Sequence, residues 1–149
     1  MNSFFSRAEL EELGLAEIGD NVLISRKSSF YGAENIRIGS NVRIDDFCIL
    51  SGNILIGSYV HIASFSALFA GKAGIRIGDF SNLSSRISIY AHSDDYSGDT
   101  MTNPMIPEEY KNVSEGEVLI GKHVLIGASS VILPGVTLGE GSSFGSMSF

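Results

Sequence analysis

A six-residue period runs through almost the whole chain and limits its possible folds more than any other feature. Laid out in hexads, the sequence reads IGDNVL, ISRKSS, FYGAEN, then IGSNVR, IDDFCI, LSGNIL, IGSYVH, IASFSA, LFAGKA. A later run reads IGDFSN, LSSRIS, IYAHSD and, after an interruption, IGKHVL, IGASSV, ILPGVT, LGEGSS, FGSMSF. The first slot is apolar throughout, from Ile18, Ile24 and Phe30 to Ile132, Leu138 and Phe144. The fifth slot is mostly small or β-branched, as at Val22, Val42, Cys48, Ser66 and Val124. The fifth slot of one hexad and the first of the next lie two residues apart on an extended strand, so their side chains share one face. A helix would need apolar spacings of three and four, and these are absent from the hexads.

Each hexad therefore reads as a short strand plus a turn. Ile-Gly or Leu-Gly openings recur every 18 residues, at 38 and 56 and again at 120 and 138, which makes one triangular coil from three hexads. Extra residues lengthen the coils that begin at 18 and 56. Stacked coils bury a continuous aliphatic column and advance by roughly 4.8 Å each. The expected fold is all-β, a parallel β-helix, with handedness left open by the period itself. Gly follows the lead aliphatic at 19, 39, 57, 78, 121, 127, 139 and 145, where the expectation is a corner that uses its freedom at positive φ. Ser6 with Glu9 forms a capping box, Leu10 and Leu13 share a helical face, and Gly14 stops the turn, so residues 6–13 read as a helix closing the bottom of the column. The organisation is a single domain over 1–149, with first coils over 18–91, an extruded loop over 92–117 and last coils over 118–149. Cys48, in a fifth slot, reads as a small core filler.

A net charge of −7 and a pI near 4.8 give no electrostatic support to nucleic-acid binding. One cysteine and an N-terminus, MNSFFSRAELEELG, without an apolar signal region point to a cytoplasmic protein. No apolar run reaches the roughly 18 residues of a spanning helix.

The hexads break once, after Ile89, and resume at Ile120. A long insertion in a regular solenoid is a place to look for function. It carries His92, Asp94, Asp95, Tyr96 and Asn103. An imidazole suits proton abstraction at neutral pH, so His92 is the candidate base. Asp94 and Asp95 are candidates to bind sugar hydroxyls or orient the imidazole. His61, in the sixth slot of IGSYVH, is the reserve base, and His123 reads as a surface residue.

The hexads, SIYAHSDDYSG at 88–98 and IGKHVLIGASSVILPGVTLGEGSSFGSMS at 120–148 resemble the hexapeptide-repeat acyltransferases. Within that family the chain is similar to the galactoside and maltose acetyltransferases and, more closely, to O-acetyltransferases of bacterial surface-polysaccharide synthesis. The resemblance implies a left-handed β-helix and a homotrimer with acetyl-coenzyme A bound between columns. It also implies acetyl transfer to a sugar hydroxyl, with His92 as base and with coenzyme contacts at Ala128 and Ser146. Lys122 is a further candidate for the coenzyme's phosphates. A nucleotide-linked amino sugar is the alternative acceptor, and a non-catalytic β-helix is a second alternative. A zinc enzyme of the γ-type carbonic anhydrase kind would need two ligands close together on one segment, and the histidines are spaced too widely for that. No metal is expected. Two departures stand out. The family continues through a basic, proline-containing tail, so this chain reads as cut short at Phe149, and Leu125 replaces an aromatic found in the galactoside enzymes.

Overall fold

The computed structural model describes residues 2–149, and its strands wind into a triangular column of parallel coils. The first face stacks Ile18, Ile38, Ile56, Ile77, Ile120 and Leu138 in register. The second stacks Ile24, Ile44, Ile62, Leu83, Ile126 and Phe144. The third stacks Phe30, Leu50, Leu68, Ile89 and Ile132. These are the first-slot residues, and together with fifth-slot side chains such as Val42, Cys48, Ile54 and Val124 they form one core, buried throughout except at Ile18, Phe30 and Phe144, which are partly buried against it. Two long strands, Ile49–Ile56 and Ala67–Ile77, turn the edge between the third and first faces without leaving the sheet.

A helix, Arg7–Glu12, lies at the lower end. Ser6 caps it reciprocally with Glu9, whose carboxyl is lowered to about 2 by its hydrogen bonds with Arg26 and Ser6. Leu10 is buried and Leu13 packs against the same core, so one apolar stripe of the helix covers the first coil.

The expectation about glycine is corrected here. The second-slot glycines do not adopt positive φ; that conformation falls to the fourth slot, at Asn21, Asn41, Tyr59, Phe80 and His123 on the first edge and Phe47, Phe65, Arg86, Ser129 and Met147 on the second. Second-slot glycine answers a different need, the close approach of successive coils. A Cβ on Gly39 would stand 2.8 Å from the carbonyl carbon of Gly57, and one on Gly78 2.7 Å from that of Gly121. Left-handed backbone costs a non-glycine residue roughly 1–2 kcal/mol, and stacking offsets part of this. Tyr59 stacks on Phe80 at 5.1 Å, Phe80 on His123 at 4.8 Å, and Phe47 on Phe65 at 5.2 Å. His123 is thus the last ring of an aromatic ladder.

On the first edge, third-slot side chains tie the coils together. The Asp20 and Ser40 amides donate to the hydroxyls of Ser40 and Ser58 at 3.0 Å, and the Ser58 amide donates to Asp79 at 2.8 Å. Cys48 is fully buried, and burial raises its thiol to about 11, in keeping with a filler rather than a nucleophile.

Candidate active site

The column releases its chain after Ala91, on the third edge. His92–Ser93 pairs antiparallel with Ser114–Glu115, and the Gly116 amide donates to the Ala91 carbonyl at 2.9 Å. This short ladder clamps the base of the loop, so His92 is fixed by backbone pairing. Its ring rests on Gly71 of the coil below: a Cβ there would lie 2.9 Å from His92 Cδ2. Among the described residues neither ring nitrogen of His92 has a hydrogen-bond partner, which leaves both free for a ligand.

Above this ring the loop and the third face enclose a cleft of about 780 Å³. Tyr90, His92, Asp94, Tyr96, Asn103 and Lys111 line it, with Val131 and Leu133 as its apolar floor. Asp94 is exposed and its carboxylate is unpaired among the described residues. Asp95 is committed elsewhere: one oxygen accepts from the Ser97 amide at 2.8 Å and the other from the Thr100 hydroxyl at 2.8 Å. The Ser97 backbone bond, followed by the side-chain bonds, holds its carboxyl below the usual carboxylate range. Asp94 therefore faces the cleft while Asp95 shapes the loop that carries it.

Lys111 is a cleft residue that the sequence reading missed. Its side chain is 7% exposed and its Nζ lies 2.7 Å from Glu108 Oε1. A backbone bridge between Met101 and Lys111 folds it under the loop, and no spacing in the sequence signals that contact.

His61 lies apart, on the outer side of the second face. Its Nε2 sits 2.7 Å from Asp45 Oδ2 and its Nδ1 3.1 Å from Asn82 Oδ1, so one residue from each of three successive coils is joined through the imidazole. Burial alone would raise the Asp45 carboxyl, but hydrogen bonds from His61 and then Arg43 outweigh it and bring it below the ordinary range. Both ring nitrogens of His61 are engaged, and Nε2 is the one that donates, because the Asp45 carboxylate can only accept.

The coenzyme candidates divide between edges. Ala128 and Ser146 are third-slot neighbours in successive coils of the second edge, where the Met147 amide donates to the Ala128 carbonyl at 2.8 Å. Lys122 sits on the first edge, 3.9 Å from Asp79 Oδ2. Among the described residues no three His, Cys, Asp or Glu side chains gather as a metal site. No helix is long and apolar enough to cross a membrane.

The model for "Bacterial transferase hexapeptide (six repeats)" matches residues 35–70 and 117–149, on either side of the loop. A dTDP-4-amino-4,6-dideoxy-D-glucose acyltransferase of Escherichia coli is 49% identical over 149 residues, covering 98% of this chain and 77% of that protein. The chain belongs to the hexapeptide-repeat acyltransferases. A putative lipopolysaccharide O-acetyl transferase of E. coli K12, WbbJ, is 29% identical over 84% of this chain and 63% of its own. Among solved structures, AntD, an N-acyltransferase from Bacillus cereus in complex with dTDP and 3-hydroxybutyryl-CoA, superposes with a TM-score of 0.96 at 54% identity, over 99% of this chain and 78% of that one. The column is the left-handed β-helix of these enzymes. AntD has also been solved as an S84A variant with dTDP-4-amino-4,6-dideoxyglucose and coenzyme A.

Proposed function

We propose that this acyltransferase moves an acyl group from acyl-coenzyme A to the amino group of a nucleotide-linked 4-amino-4,6-dideoxy sugar. The observation that carries the reading is the 49% identity to an enzyme of that name, which runs through the loop bearing His92 and Asp94. Amine acylation thereby takes precedence over the hydroxyl acetylation that the resemblance put first. The relative named for O-acetyl transfer is more distant, at 29% identity.

The chemistry follows from the cleft. The neutral amine attacks the thioester carbonyl, the carbon–sulfur bond breaks, and coenzyme A leaves as a thiolate that takes up a proton. The amine must shed a proton as its new bond forms. In this reading His92 accepts it, with Asp94 as the carboxylate that orients the amine or shares its charge. An amine is a stronger nucleophile than a hydroxyl, so the base acts after attack begins and its contribution falls toward the lower end of the usual range.

Ala128 and Ser146 lie on the second edge and His92 and Asp94 on the third, at opposite ends of the third face. One chain does not bring them together, whereas two columns set edge to edge would. We infer a homotrimer in which the second edge of one column meets the loop of the next, with the coenzyme in the groove between them along Ala128 and Ser146.

The test is incubation of the protein with dTDP-4-amino-4,6-dideoxyglucose and acetyl-coenzyme A, followed by mass spectrometry of the nucleotide sugar before and after hydroxylamine. The expected product is heavier by one acetyl group and resists hydroxylamine, because an amide survives where an ester is cleaved. Loss of the group to hydroxylamine would return the assignment to a hydroxyl, and no product from either acceptor class would favour the non-catalytic alternative.

A further inference from the structure

All the residues that interrupt the hexads sit on one edge of the column. Inward residues on the first and second edges follow one another at intervals of six, as from Ile56 to Ile62 to Leu68. On the third edge the chain passes from Phe30 to Ile38, from Leu68 to Ile77 and from Ile89 to Ile120 before it regains register. The last of these intervals is the loop of the active site. The two shorter ones lie beneath it and have no part in the cleft described above.

They enclose a polar recess of about 400 Å³ lined by Asn35, Arg37, Asn53, Gly71 and Lys72. In a protein of net charge −7 this recess holds two cations, two amides and no carboxylate. Arg37 Nε lies 3.5 Å from Glu17 Oε1, but the two side chains are 49% and 72% exposed, a loose surface pair that an anion can displace. Lys72 has no ion pair among the described residues. Asn53 Nδ2 reaches only the Lys72 carbonyl, at 3.5 Å, so its amide donors have capacity to spare. Gly71 is the wall shared with the active site. With φ at 53° it turns the chain away, and its missing Cβ is where the His92 ring sits. The recess and the candidate base are therefore one residue apart.

We propose that this recess is a diphosphate-binding site, and that it holds the diphosphate of the nucleotide carrying the acceptor sugar so that the sugar extends past Gly71 to His92. A guanidinium offers a planar fork to phosphate oxygens, a lysine adds a compact charge beside it, and two side-chain amides complete the donor set. The proposal rests on the nucleotide-sugar reading for its ligand and not for its chemistry. Coenzyme A also carries a diphosphate, so the two sources must be separated.

The experiment uses the full chain and the double variant Arg37→Gln, Lys72→Gln, both exposed positions outside the core. Each protein is titrated calorimetrically with inorganic pyrophosphate, dTDP and coenzyme A, and melting temperature reports that the variant is folded. Loss of both cations should weaken pyrophosphate and dTDP by about tenfold or more while coenzyme A binds as before. Weakened coenzyme A with unchanged dTDP would overturn the assignment to the acceptor and give the site to the donor. Equal binding of all three ligands by both proteins would overturn the site altogether. If the intact protein acylates no amino sugar yet binds pyrophosphate, and the double variant does not, the nucleotide-sugar reading fails and the diphosphate site stands.

Discussion

At the scale of single residues, the two histidines differ in what their nitrogens are doing. A base needs an unoccupied lone pair. His61 spends Nε2 on Asp45 and Nδ1 on Asn82, whereas His92 is held by its backbone and keeps its ring free. We expect His92→Ala to lower turnover by roughly 10²–10⁴-fold, nearer the lower figure for an amine acceptor, with the melting temperature unchanged. His61→Ala should do the opposite, leaving chemistry nearly intact and costing about 1 kcal/mol through the hydrogen bond lost to a carboxylate. Steady-state kinetics and chemical denaturation on the two variants separate these outcomes. Asp45 adds a pH dependence. Its carboxyl is below its ordinary value of 3.8 in the folded protein, so its stabilising effect is complete above that value and fades as pH falls through the lower folded one. Asp45→Asn should therefore flatten the acid limb of the stability profile, measured by denaturation at a series of pH values between about 5 and 2. His92 stands out in the sequence as a candidate because the hexads stop beside it. Lys111 and Gly71 were not, since each matters through a contact with a residue remote in sequence that no local pattern encodes.

At the scale of the coil, the pattern specified the inward residues and left the corners ambiguous. First slots point inward in every coil, and fifth slots do so where one hexad runs straight into the next, because strand alternation admits no other arrangement once one face is buried; beside the interruptions the fifth slots Glu34 and Lys72 are exposed. A glycine in the sequence, by contrast, answers either of two demands, positive φ or lack of room, and the period cannot say which. Here the first edge keeps glycine in the second slot of every coil, at 19, 39, 57, 78, 121 and 139, while the second edge accepts Ser25, Asp45, Ala63 and Ser84 there. The φ demand moved two residues on, to side chains such as Phe65 and Phe80 that stack along the edge. We expect Gly39→Ala to cost about 1–3 kcal/mol by forcing adjacent coils apart, a typical overpacking penalty. Ala63→Gly, in the same slot on the second edge, should cost less than about 1 kcal/mol. Equal losses in urea titrations of the two variants would show that glycine serves both edges for the same reason.

At the scale of the whole molecule, the three faces differ in charge. Outward positions of the first face include Glu17, Arg37 and Arg76, and those of the second include Arg43 and His61. The third face turns out Ser29, Tyr31, Ile49, Ser51, Ala67, Phe69, Ser88, Tyr90, Val131 and Leu133, with no charge among them. Depletion of charge in favour of aromatic and aliphatic side chains is the mark of an interface centre. This face also lies between the edge bearing Ala128 and Ser146 and the edge bearing the His92 loop, so packing it around a threefold axis sets one column's second edge against its neighbour's third. We expect sedimentation equilibrium to give three times the 15.9 kDa chain mass, with a melting temperature that rises with protein concentration. Ala67→Lys places a cation at the middle of the uncharged face and should shift the protein to monomer and abolish transfer together. Leu55→Lys makes the same change on the already charged first face and should leave mass and activity as they were. A monomeric Ala67→Lys protein that kept full activity would show that each column carries a complete site of its own.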